Sequence, residues 1–384
     1  MRILCHQQHL TGVGHFFRMH ALACGLGATH EVHLVDGGRP VPHDKEPAGV
    51  QLVRVPRLAR VGEQLVAVEP TVPVAEVLQE RSRMLAHAVE RIRPDVVLID
   101  QYPFSKWELD AEVEGVVAVA RQCNPGTAAW CSLRDIARQT RHERVTGDVY
   151  TAQVLKRLRA FDGILVHADP AFTRLDEHFT GGANLPVPVR YTGFVTAAGV
   201  RPASMGTSRC VVVSCGGGVN GIPLLIATMT AFRRLASEFV SWRLVVFAPA
   251  FATPSDLAAL AEAGQGARID VRPFSPEFHA VLGASALSIS RAGYNTCVRL
   301  LQAKTRAVLV PDSGMRDQQF RAQRFAELGL AQVVENEHDV DGLMHAMRCA
   351  LAVPPPRHDL NLDGVGGTLT AIGQGATSAR SFDK

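Results

Sequence analysis

Short apolar runs alternate with longer stretches of helical period along most of the chain. Residues 2–6 are apolar enough for a buried strand, 16–26 carry a helical repeat, and 31–35 return to a strand pattern. Between the first two lies the loop Thr11-Gly12-Val13-Gly14-His15. Strand, glycine loop, helix, strand is how a parallel α/β sheet opens. Further on, 50–55 read as a strand, 77–92 as a helix stopped at Pro94-Asp95, and 96–100 as a buried strand. Two short strands are expected at 116–120 and 128–132, then a helix over 155–161 and a strand over 163–167.

The pattern lapses between about 195 and 208, where Gly, Ala, Pro and Ser dominate, and then restarts. Strands are expected at 210–214, 244–248, 268–271, 286–290 and 307–310, with a helix over 222–235 and others between. Two similar halves predict an α/β protein of two doubly wound, Rossmann-like domains facing each other across a cleft. The expected division is 1–195, a linker over 196–208, a second domain over 209–353, and a tail over 354–384. The tail is rich in Pro and Gly and is expected to be frayed, with one short helix near Leu369.

Composition narrows the function. At 384 residues, with 47% hydrophobic and 20% charged positions, the chain is a folded protein with a sizeable core. The net charge of +3 is nearly all arginine against aspartate and glutamate, and no basic block occurs, which argues against nucleic acid as a partner. Eight scattered cysteines make no CxxC and no zinc spacing, which suits reduced thiols in a cytoplasm. No apolar run is long enough to cross a bilayer, so membrane contact is peripheral at most. A homodimer is left open.

Three loops, all leaving predicted strands in the second half, carry candidate chemistry. Gly216-Gly217-Gly218, with Gly221 just beyond, joins a strand to a helix, and such a turn offers main-chain N–H groups and a helix dipole to a diphosphate. No Gly-Lys-Ser/Thr follows, and Gly12-x-Gly14 meets Phe17 where a third glycine is needed, so neither a Walker loop nor a complete dinucleotide fingerprint is present. Ser290-Arg291-Ala292-Gly293-Tyr294-Asn295-Thr296 offers a guanidinium and small polar groups at a second helix start. Pro311 to Gln319 brings carboxylates and carboxamides, which suit sugar hydroxyls. Phosphate cradle, second anion contact and polyol reader together describe a site for a nucleoside-diphosphate sugar.

Gly-Gly-Gly-Val-Asn-Gly at 216–221, the segment from Arg272-Pro-Phe to Arg291-Ala-Gly-Tyr-Asn-Thr, and Pro311 to Arg316-Asp-Gln-Gln resemble the MurG-like glycosyltransferases of the GT-B fold. The loop Thr-Gly-Val-Gly-His resembles that group's amino-terminal glycine loop. The resemblance implies a donor, UDP-sugar in the family, bound by the second domain. Its diphosphate would lie at Gly216, Gly217, Gly218, Arg291, Gly293, Asn295 and Thr296. Phe274 and Ser275 would lie by the base, and Asp317, Gln318 and Gln319 would meet the sugar. The first domain, with Gly12 and Gly14, would take a small-molecule or lipid-linked acceptor. Where the pattern has a glutamate for the ribose hydroxyls, this chain has Arg299, a cation that cannot accept those hydrogen bonds. Ribose binding then differs, or Arg299 meets the diphosphate.

Transfer to an acceptor hydroxyl needs a base. His15, Asp135 and Asp100, each near the end of a predicted strand in the first half, are the candidates, and a carboxylate behind the histidine would orient it. Arg134 or Arg138 would be the ion-pair partner of Asp135 if that residue is structural. No metal and no cofactor is demanded, since helix dipoles and Arg291 can serve the leaving group. Two other functions share these features: an epimerase or hydrolase of the same donor, and a non-catalytic donor-binding partner.

Overall fold

The computed structural model describes residues 1–41, 47–137, 147–196, 208–217, 221–266, 268–275 and 278–379. The chain opens with β1 (Arg2–His6), α1 (Gly14–Gly27), β2 (Glu31–Asp36) and β3 (Val50–Arg54), followed by a hairpin of β4 (Leu58–Val61) and β5 (Gln64–Ala67). Next come α2 (Val74–Ile92), β6 (Val96–Asp100), α3 (Asp110–Cys123), β7 (Ala128–Leu133), α4 (Gly147–Leu158), β8 (Gly163–Val166) and β9 (Val189–Tyr191). Seven of these strands form one sheet in the order β3-β2-β1-β6-β7-β8-β9, every pair of it parallel.

The second domain repeats the plan. It runs β10 (Cys210–Ser214), α5 (Ile222–Arg234), β11 (Arg243–Phe247), α6 (Pro254–Ala263), β12 (Ile269–Arg272), α7 (Phe278–Ala284), β13 (Leu287–Ser290), α8 (Tyr294–Ala303), β14 (Arg306–Leu309), α9 (Arg316–Glu327), β15 (Gln332–Val333) and α10 (Val340–Ala352). Its six-stranded sheet has the order β12-β11-β10-β13-β14-β15, again parallel. In both sheets the order reverses beside the first strand, so the loops there diverge and leave a crevice at the strand carboxy ends.

Two expectations are corrected. Residues 116–120 are not a strand but lie inside α3, whose Val113, Val116, Val117 and Ala120 are buried. Their spacing of three and four is helical, and the short apolar run alone hid it. Nor is the tail loose. α11 (Gly364–Ala379) returns to pack on the first domain, where an added Cβ at Gly25 of α1 would stand 2.7 Å from Val365. The two chain crossings between the domains lie side by side: Phe194 N donates to Asn361 O at 2.9 Å and Gly364 N to Phe194 O at 3.0 Å. Most of the expected linker, 197–207, and residues 380–384 lie outside the described residues.

Candidate active site

β1 and β6 are neighbours at the reversal point, with His6 opposite Ile99, so Asp100 and the loop after β1 share one crevice. α1 begins at Gly14, and its His15 and Arg18, three residues apart, project to the same side. His15 Nδ1 lies 2.9 Å from Asp100 Oδ2. Arg18 donates to Asp100 Oδ1, and Lys106 donates to Oδ2. The network continues inward: Arg18 donates to Ser132 Oγ at 2.9 Å, Ser132 Oγ meets His167 Nε2 at 2.8 Å, and His167 Nδ1 meets Thr192 Oγ1 at 2.8 Å.

Burial alone would raise the Asp100 carboxyl, but Lys106, His15 and Arg18 hold it well below the usual carboxylate range. Burial pushes His15 down to about 3, with Arg134 and Lys106 helping and Asp100 opposing. The imidazole is therefore neutral and the carboxylate ionised around neutral pH. These are the states that a general base and the group that orients it require.

In the second domain, β10 and β13 end side by side, with Ser214 opposite Ser290. Gly216 has a left-handed φ of 77°, and an added Cβ there would meet nothing within 4 Å, so this turn has an open face. Gly217 is different. A Cβ there would stand 1.9 Å from Val13 Cγ2, so only glycine lets the two domains approach. Gly218 lies outside the described residues. The hydroxyls of Ser214 and Ser290, both buried, have no partner.

The other residues expected to meet a donor fall into place unevenly. Gly293 caps α8 and faces open space. Asn295 donates to the carbonyl of Gly14 at 2.9 Å across the cleft, and Gly12 and Thr296 are half-buried nearby in sequence. Phe274 packs against Phe17 of the first domain, ring centres 6.2 Å apart, and the Ser275 carbonyl accepts from Phe278 N at 3.2 Å. Gln318 Oε1 accepts from Asp312 N at 3.2 Å and Gln319 donates to Ser313 O at 3.0 Å, so both carboxamides brace their own loop.

Two expected roles meet a different geometry. Arg291 does not hold its guanidinium free for a phosphate: it pairs with Glu337 and donates to the carbonyls of Val310 and Pro311 at 3.2 and 3.3 Å. Only its Nε lacks a partner. The cation still lies close enough to oppose the burial that pushes the Cys215 thiol up to about 12. Asp135 does not sit free as a base, nor is it held by Arg134: both its oxygens accept from Arg321 of the second domain, at 2.6 and 2.9 Å. Arg138 lies outside the described residues. Arg299 is 9% exposed, one turn behind Asn295, and donates to Gln302 at 3.0 Å. Burial lowers its pKa, and its charge adds to the burial that pushes His279 down to about 4.

α9 and α8 carry further contacts between the domains. Asp317, Arg321 and Arg324 recur at four and three residues and share a face. Arg324 donates to Phe172 O at 2.7 Å and Ala171 O at 3.0 Å. Tyr294 donates to His167 O at 2.8 Å and accepts from Val195 N at 3.2 Å.

Arg18, Lys106, Ser132, His167 and Arg321 were not singled out by sequence. Arginines on amphipathic helices look like solvated charges, and only the strand order reveals what they face. A signal did exist at Lys106, one of five lysines in a chain of 384. Among the described residues, no three His, Cys, Asp or Glu side chains gather as a metal ion would need. Among them too, no helix is long and apolar enough to cross a membrane.

Residues 253–348 match the glycosyltransferase family 28 C-terminal domain. No curated protein matches the chain by sequence. Among solved structures it is similar to the calicheamicin glycosyltransferase CalG4, with a TM-score of 0.58 at 18% identity over 98% of this chain and 94% of that one. It is also similar to Phytolacca americana UGT2, complexed with UDP-2-fluoroglucose and pterostilbene (TM-score 0.60, 13% identity, 98% and 99% covered). A third is Acinetobacter baumannii MurG (TM-score 0.56, 14% identity, 97% and 99% covered). The chain thus has the two-domain GT-B fold of these structures, and residues 253–348 of its second domain carry the match to the family 28 carboxy-terminal domain.

Proposed function

We propose that this protein is a glycosyltransferase that moves a sugar from a nucleoside diphosphate, held by the second domain, to a hydroxyl of a small-molecule or lipid-linked acceptor held by the first. One observation carries this: the loop that leads into α1 and His15 meets the Gly216-Gly217 turn directly, with Val13 N donating to Gly217 O at 3.4 Å. A base and a phosphate cradle on opposite walls of one cleft are what displacement at an anomeric carbon needs.

In the proposed step His15 Nε2 takes the acceptor proton while Nδ1 faces Asp100. The acceptor oxygen bonds to the anomeric carbon from the face opposite the diphosphate, giving inversion. The bond from that carbon to the phosphate oxygen breaks, and the diphosphate leaves with the electron pair. Main-chain N–H groups at Gly216 and Gly217, and the amino-terminal ends of α5 and α8, stabilise that charge. Arg18 and Lys106 keep Asp100 ionised, and Asp100 in turn stabilises the imidazolium. Asp317, with the loop braced by Gln318 and Gln319, meets the sugar. Phe274 lies by the base.

Neither cofactor nor divalent metal enters this mechanism, and the eight unpaired thiols suit a reducing cytoplasm. A thermal-shift screen of UDP, dTDP, GDP and ADP identifies the nucleotide, because a bound ligand stabilises the native state by mass action. Its sugar conjugate is then incubated with and without candidate acceptors. Transfer that needs an acceptor and survives a chelator supports the proposal. Product formed from the donor alone, whether epimer or free sugar, overturns it.

A further inference from the structure

Arg321 lies one turn after Asp317 on α9 and reaches out of the second domain to Asp135, just beyond β7 in the first. Its Nε donates to Asp135 Oδ2 at 2.6 Å and its NH2 to Oδ1 at 2.9 Å, a bidentate pair whose side chains are 1% and 0% exposed. NH1 donates to the carbonyl of Ala292. The guanidinium also touches Asp317 Oδ2, but at 3.3 Å, longer than either bond to Asp135. Arg134 NH2 stands 4.0 Å from that same Asp317 oxygen. Two arginines and two aspartates thus balance in charge at the seam between domains.

Beside the more distant Arg134, Asp317 has two competing partners. One is Arg321, four residues on along the same helix, a spacing at which opposite charges readily pair. The other is the donor sugar. As the chain stands, Arg321 directs its two shortest carboxylate bonds across the cleft and leaves Asp317 with one longer contact.

We propose that Asp135 is a positioning residue for donor-sugar recognition: by holding Arg321 from the opposite domain, it keeps that guanidinium from closing a bidentate pair with Asp317 and leaves the Asp317 carboxylate to accept sugar hydroxyls. This rests on the reading that Asp317 meets the sugar. It follows that the sugar is recognised only when the domains are together. Separation removes Asp135, and a buried guanidinium without a counter-charge is costly, so Arg321 turns to Asp317. Burial alone would raise the Asp135 carboxyl, yet Arg321 holds it below its ordinary range, as expected for an ionised partner.

The test compares Kd values by calorimetry for UDP and UDP-glucose, and for dTDP and dTDP-glucose. Asp135→Asn keeps an acceptor oxygen but loses the charge. It should bind the bare nucleotide within about twofold of wild type, which also reports an intact second domain. The ratio of sugar-nucleotide Kd to nucleotide Kd should rise at least tenfold. The double variant Asp135→Leu/Arg321→Met removes the clasp and the competitor together, and its ratio should return to within about threefold of wild type. An unchanged ratio in Asp135→Asn, or a ratio that stays raised in the double variant, overturns the proposal. Asp317→Asn separates the two levels. If it leaves the ratio unmoved, the sugar-contact reading itself fails. If it raises the ratio while Asp135→Asn does not, only the positioning role fails.

Discussion

Val13 of the first domain seats its side chain on the backbone of Gly217 in the second, Cγ2 standing 1.9 Å from where a Cβ would be. The loop that leads to His15 and the Gly216-Gly217 turn are thereby in van der Waals contact, and the second position of the triple glycine is accounted for by the opposing domain.

Gly217→Ala should therefore hold the domains apart. Overpacking of this kind costs about 1–3 kcal/mol, and turnover should fall with it. Val13→Gly in the same chain should restore most of both. Thermal melts and initial rates check this, and failure of the second substitution to restore activity would assign Gly217 to the ligand alone.

His15→Ala should lower kcat by about 10²–10⁴ and leave nucleotide Kd unchanged. Asp100→Asn behaves differently, because it strands Arg18 and Lys106 in a buried site. Breaking such a cluster costs about 3–5 kcal/mol, so this variant should lose stability along with turnover. Urea titration of both variants separates the two effects.

The chain should lose stability in mild acid. His15, His167, His279 and His9 all have pKa values depressed mainly by burial. A histidine neutral in the native state but titrating near 6.5 when unfolded binds more protons unfolded, so its contribution shrinks as pH falls below about 6.5. At pH 5.5 each fully depressed histidine costs about 1.4 kcal/mol. Carboxylates held low, such as Asp100 and Asp135, add a separate loss only as pH falls below about 4. Urea midpoints between pH 7.5 and 5 report the first window, and a flat profile there would contradict it.

Tyr294→Phe should cost about 1–2 kcal/mol, since it leaves His167 O and Val195 N without their shared hydroxyl. Both bonds tie α8 to the first domain at the crossing point. Thermal melts should therefore shift down while nucleotide affinity, measured by calorimetry, holds.

What the amino-acid sequence determined alone was whatever depends on neighbours along the chain: apolar runs that must be buried strands, the glycine turns after β1 and β10, and the restart that makes two domains. It also placed a histidine at the end of the glycine loop after β1 and a carboxylate at the end of β6. It misread residues 116–120, where a short apolar run has no visible period, and treated the tail as loose because Gly and Pro disfavour helices until packing overrides them. Tertiary structure decided the pairings. Strand order brought Asp100 to His15, 85 positions away in sequence, and domain contact gave Asp135 to Arg321, 186 positions away. It also turned Arg291 to Glu337. Charge identity is local, but which buried charge neutralises which is set by desolvation, and that exists only once the chain has folded around them, within each domain for Asp100 and Arg291 and between domains for Asp135.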